Sequence, residues 1–188
     1  MNKYLCVLGV LKTSTGLCIK NDMLSWLNPI YNVLCIEQDP PGKLFEYPAI
    51  KYALRLSAES NEPVLYIHTK GASNPYTWYQ KTIRKIWKRE YSNVDNVKTM
   101  FEISKTVEKP LVLCLYTGIT KATWFNAWVV NPAAAQITLD NIKYPTDCNR
   151  FYYEQQLFND DKISVVGLYK NDCNDSDIMS QFIKHGEK

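Results

Sequence analysis

Two histidines occur in this 188-residue chain, and His68 stands in VLYIHTKGAS (64–73), directly after an apolar run. His68 and Lys70 are two residues apart, so their side chains share a face if the extended backbone persists. Gly71 then permits a sharp turn or a close approach of backbone to a ligand. A lysine in that position supplies a cation to a phosphate. An imidazole donates to phosphate or carries a proton near neutral pH. A polar strand end with a solvated lysine explains the same letters. His185 lies in the tail, so the chain has no cluster of histidines to hold a metal.

Two further groups have residue types suited to chemistry. Glu37 and Asp39 are paired carboxylates after another apolar run, a set able to hold a divalent cation such as Mn²⁺ or Mg²⁺. Acidic residues at a loop edge are the plainer reading. Glu154 lies among aromatic residues in RFYYEQQLF, where a carboxylate can have a raised pKa and act as a base. Arg150 precedes it by four residues, so a helical ion pair is equally open.

The elements that must position these groups follow from hydrophobic spacing. YLCVLGVL (4–11) is a short continuous apolar run, as for a strand buried on both faces, and YNVLCIEQ (31–38) is a second strand. LCIKNDMLSWL (17–27) has helical spacing and stops at Asn28-Pro29. DPPGK excludes both helix and central strand. EYPAIKYALRLSAES (46–60) reads as a helix with Pro48 near its start, and PVLYIHT (63–69) as the third strand. A long helix is predicted from about Tyr76 to Lys105, with a break near YSNVDN. PLVLCLYTG (110–118) is a fourth strand, WFNAWVVNP (124–132) a fifth, AAAQITLDNI a short helix, 149–160 a further helix and KISVVGLY (162–169) the last strand. Alternating strand and helix predict one α/β domain over 1–170, a mostly parallel sheet flanked by helices, with a polar, weakly helical tail over 171–188. In such sheets ligands bind outside the carboxyl ends of the strands. The places to look are therefore KTST (12–15), EQD (37–39) and HTKG (68–71).

Composition narrows the class. Apolar residues make up 46% and charged residues 22%, which suits a soluble globular protein. The 13 Tyr and 5 Trp suit sugar, base or protein surfaces, and equally an ordinary core. A net charge of +3 is too mild for a nucleic-acid partner. KTIRKIWKRE (81–90) reads first as a solvated helix face. The six cysteines include no CxxC pair, and zinc spacing is absent. No apolar run approaches the roughly 20 residues of a membrane span, and no leader is evident. A reduced, cytoplasmic protein is expected. GxGxxG and GxxxxGK[ST] are both absent, which argues against a dinucleotide dehydrogenase or a P-loop ATPase.

Several pieces then match one pattern in order. FEYPAIKYALRLSAESNEPVLYIHTKGAS resembles a group of glycosyltransferase-like proteins from bacterial polysaccharide loci, which share YE.PTL…LYxHTKG. Their following WR falls here on Ile83-Arg84, so the tryptophan is missing. Their GNFWWA is similar to TWFNAWVVNP, and their closing R…E to Arg150 and Glu154. The resemblance spans roughly 4–170. It implies a GT-A-like (Rossmann-like) nucleotide-sugar fold, and transfer from a nucleotide-sugar donor to a glycan or lipid-linked acceptor, with peripheral membrane contact as one route to the latter. GT-A folds usually carry a metal-binding Asp-x-Asp at the third strand end, where this chain has His68-Thr69-Lys70. The implied site has His68, Lys70 and Arg84 on the donor diphosphate and Lys12, Thr13 and Ser14 on the nucleotide. Trp124, Asn126 and Trp128 then meet the sugar or acceptor, with Glu154 or Asp147 as base. Metal dependence stays open: cationic side chains can replace the usual metal, with Glu37 and Asp39 as the fallback ligands for Mn²⁺ or Mg²⁺. A catalytically silent nucleotide- or sugar-binding module of the same fold is the alternative.

Overall fold

The computed structural model describes residues 3–39, 46–70, 78–117, 121, 123, 126–147 and 152–169. Its strands are β1 (Tyr4–Leu11), β2 (Tyr31–Gln38), β3 (Val64–His68), β4 (Leu111–Cys114), β5 (Trp128–Val130) and β6 (Ser164–Gly167). Its helices are α1 (Ser14–Leu27), α2 (Tyr47–Ser60), α3 (Trp78–Tyr91), α4 (Val94–Thr106), α5 (Pro132–Asn141) and α6 (Tyr152–Gln155). The strands form one six-stranded sheet in the order β2-β1-β3-β5-β4-β6. β5 runs antiparallel to both its neighbours, and the other pairings are parallel. The protein is therefore α/β with a mixed, mostly parallel sheet.

Period-two alternation in the strands sorts the core into two layers. Cys6, Leu8, Val10, Leu65, Ile67 and Val129 face one cluster, completed by Ile19 and Met23 of α1, Ile83 and Trp87 of α3, and Met100 and Phe101 of α4. Val7, Val64, Tyr66, Trp128 and Val130 face the other, completed by Ala49, Ile50, Ala53 and Leu54 of α2, Ala134 and Ala135 of α5, and Tyr153 of α6. Helices α1 and α2 thus cover opposite faces. The chain leaves β1 to build β2 on one side and returns to place β3 on the other. The carboxyl ends of β1 and β3 therefore flank a topological switch point, where open α/β sheets form a ligand crevice.

Local differences from the sequence expectation have local causes. The long predicted helix divides at the expected break near YSNVDN, because Asn93 turns out of helical geometry and caps α4: its Oδ1 accepts from the Asp95 and Asn96 amides at 3.0 and 3.2 Å. The fifth strand contracts to three residues between Asn126, at φ 52°, and the helix-starting Pro132. The helix predicted over 149–160 is described only at Tyr152–Gln155. Beyond it the chain turns so that Leu157 and Phe158 enter the core. Among the described residues no helix is long and apolar enough to cross a membrane.

Candidate functional site

The carboxyl ends of β1, β2 and β3 lie side by side. Gly9 pairs with His68, and Leu11 with Gln38. The Thr69 amide donates to the Gly9 carbonyl at 2.9 Å, and the buried Thr69 hydroxyl accepts from the Leu11 amide at 3.3 Å. Thr69 therefore stitches the third strand end to the first. The strand does not persist past His68: the Lys70 amide turns back to the His68 carbonyl at 2.8 Å. This corrects the expectation that His68 and Lys70 share a face by strand alternation. Arg84, on α3, donates to the Lys70 carbonyl and so holds that turn. Of the three residues expected at a donor diphosphate, Lys70 and Arg84 are brought together, but Arg84 meets the backbone of Lys70.

His68 is 8% exposed, and its Nδ1 lies 2.8 Å from Oε1 of Glu46. Glu46 immediately precedes α2 and received no role in the sequence reading. Its other oxygen accepts from the Asn126 side-chain amide and, at 3.4 Å, from the Tyr66 hydroxyl. Asn126 Oδ1 in turn accepts from the Trp128 indole N–H at 2.9 Å. Burial alone would push the Glu46 carboxyl up. The charge and hydrogen bond of His68, the charge of Lys70 and the Asn126 amide outweigh it and hold the carboxyl below its ordinary value. The His68 ring lies nearly parallel to Tyr66, at 6.2 Å and 12°, and 5.5 Å from Trp87. A carboxylate–imidazole pair is thus walled by aromatic rings at the edge the strand-end rule selects.

The first strand end is built by its glycine and its cap. Thr13 Oγ1 accepts from the Gly16 amide at 2.9 Å and starts α1. A Cβ on Gly16 would stand 1.9 Å from the Leu11 carbonyl oxygen, so only glycine lets the first turn of α1 press on the end of β1. Ser14 opens the helix and is exposed. Lys12 pairs with Asp39 at 2.8 Å, and Lys20 with Glu37 at 2.6 Å. Hydrogen bonding to Lys20 lowers the Glu37 carboxyl below its ordinary value. The fallback metal ligands are therefore engaged by lysines. Among the described residues no group of three or more His, Cys, Asp or Glu is placed to hold a metal ion.

The remaining expected residues divide. Asn126 joins the cluster through Glu46. Trp128 is fully buried between Tyr66 and Phe158, with ring centroids at 4.8 and 5.1 Å. Its ring is core, and it reaches the site only through the indole N–H; this corrects its expected place against a sugar. Asp147 is exposed in a short 3-10 turn (Pro145–Asp147) and accepts from the Thr146 hydroxyl at 3.0 Å. Nearby Tyr144 packs on Tyr47, the residue after Glu46, at 5.1 Å. Glu154 lies on α6, whose Tyr153 ring also faces Tyr47 at 6.1 Å, but the Glu154 side chain is outside the described residues. Gly71, Trp124, Phe125, Arg150 and His185 also lie outside them.

Glu46 had one usable signal in the sequence: an acid at a helix start that follows a strand end, at the edge where ligands gather. No family model, no curated protein and no solved structure matches the chain.

Proposed function

We propose that the chain is a glycosyltransferase that moves a sugar from a nucleotide-sugar donor to a glycan or lipid-linked hydroxyl, on the cytoplasmic side of surface-polysaccharide synthesis, in a GT-A-like fold. One observation carries the reading. Lys12 and Lys70 end adjacent parallel strands at the switch point, beside the amino terminus of α1. Strands in a sheet lie roughly 4.8 Å apart, so a diphosphate laid across this edge meets two cations and a helix dipole together. Transfer leaves negative charge on the departing diphosphate, and preorganised cations stabilise it. Glu37 and Asp39 face ammonium groups and do not fit a divalent cation, so no step is assigned to a metal. A groove of about 400 Å³ beside α6, lined in part by Asn141, Gln156 and Asn159, offers side-chain amides to a sugar acceptor.

A thermal-shift panel of nucleotide sugars, with Mn²⁺ and with EDTA, tests the reading when paired with an assay for released nucleotide diphosphate. Stabilisation by one donor and release of diphosphate in EDTA is the expected result. No shift with any donor contradicts it. A second reading, a silent binding module, is favoured by the engagement of Lys12 with Asp39 and of Arg84 with the Lys70 carbonyl. Stabilisation without release of diphosphate would select it.

A further inference from the structure

We infer that Glu46 and His68 form the proton-handling pair of this site, with His68 as the catalytic base and Glu46 as its positioning residue. The inference rests on the glycosyltransferase reading for the identity of the proton's donor, but its geometry stands apart. The 2.8 Å contact from Nδ1 to Oε1 places the Nδ1 proton against a carboxylate. The proton that exchanges during chemistry is then on Nε2. Glu46 is itself held from three directions: His68 on one oxygen, and Asn126 and Tyr66 on the other. Tyr66 and Trp87 fix the imidazole plane. Such an arrangement limits ring rotation and stabilises an imidazolium when it forms, which a solvated histidine at a strand end does not do.

In the transfer step the acceptor hydroxyl gives its proton to His68 Nε2, and its oxygen bonds to the anomeric carbon. The bond from that carbon to the diphosphate oxygen breaks, and its electron pair leaves on the diphosphate. Glu46 faces the imidazolium so produced and remains a carboxylate throughout. Lys12 and Lys70 take the diphosphate charge, so His68 serves the acceptor side of the reaction. Among the described residues, the charged and titratable groups that act on the pair include Tyr66 on its own strand and Lys70 in the turn, whose carbonyl accepts from Arg84 of α3.

The chain's two histidines make the pair directly observable. In a His185→Ala background, nitrogen NMR reports on His68 alone. The expected result is that the neutral form of His68 carries its proton on Nδ1, with that preference lost in Glu46→Gln. A wild-type imidazole protonated on Nε2 overturns the inference. With the donor identified by the thermal-shift panel, His68→Gln is expected to lower turnover about 10³-fold with donor affinity within threefold of wild type. Glu46→Gln is expected to lower kcat roughly 10- to 100-fold with an unchanged donor KM and an altered acid limb of the pH profile. An unaltered kcat and pH profile in Glu46→Gln overturns the role of Glu46. If the Nδ1 tautomer is present but no donor is bound or cleaved, the glycosyl-transfer reading fails, and with it the role of His68 as base, while the pair itself stands.

Discussion

Asn131, just past β5, and Glu46, just before α2, are polar centres at opposite ends of the central strands. Asn131 is 1% exposed and spends its whole side chain on main chain. Its Oδ1 accepts from the Leu111 and Ala134 amides, each at 3.0 Å, and its Nδ2 donates to the Val107 and Lys109 carbonyls at 3.1 and 2.9 Å. Glu46 is bound by side chains, among them His68, and its own side chain keeps 28% exposure. The neutral centre sets where the backbone goes: it starts α5 and fixes the approach to β4. The charged centre holds groups that can exchange protons, at the edge where the strand ends converge. Polar burial thus ties main chain together at one end and gathers titratable side chains at the other.

The largest effect expected from breaking this contrast is on stability. Asn131→Ala strips partners from two buried amides and two part-buried carbonyls, and should cost roughly 2–4 kcal/mol in urea unfolding. Donor binding per folded molecule should be unchanged. Gly16→Ala puts its Cβ 1.9 Å from the Leu11 carbonyl oxygen. It should cost about 2 kcal/mol or more and weaken donor binding by displacing the Lys12–Thr13 corner.

Glu46→Gln comes next, with a stability loss of about 1 kcal/mol at neutral pH and a much larger loss of turnover. The sign of its acid dependence follows from the depressed folded-state pKa of Glu46. Its carboxylate stabilises the fold fully above the ordinary carboxylate value of 4.5, and that contribution is lost as pH falls through the lower folded-state value. The stability gap between wild type and Glu46→Gln should therefore close in acid, as followed by denaturant titration across pH. Lys70→Ala is the smallest structural change. It should lower the urea midpoint only slightly, through the loss of its charge beside Glu46, and weaken donor binding about tenfold.

How much of this was legible in the sequence differs element by element. β1 and β2 are found to the residue, because each is a continuous apolar run closed by polar or proline-containing turns. β5 was readable as a strand but not in its length or direction. Direction depends on which strands flank it, and its start is set by the left-handed backbone of Asn126. His68, Lys70, Lys12 and Thr13 were singled out because ligands gather at strand ends, a rule that needs only element order. Glu46 was not, because its partner belongs to another element and a helix-start glutamate reads as an ordinary end-of-helix charge. The charges of Lys12 and Arg84 were visible, but their engagement with Asp39 and the Lys70 carbonyl was not.

The central claim is that this edge binds a sugar-nucleotide diphosphate with protein cations and no metal. Titration calorimetry of nucleotide diphosphates and their sugars, in EDTA, on wild type and Lys70→Ala tests it most directly. The account predicts saturable binding to wild type that Mn²⁺ does not strengthen, and about tenfold weaker binding to Lys70→Ala. Binding that requires Mn²⁺ or Mg²⁺, or that is equal in the two proteins, would contradict it.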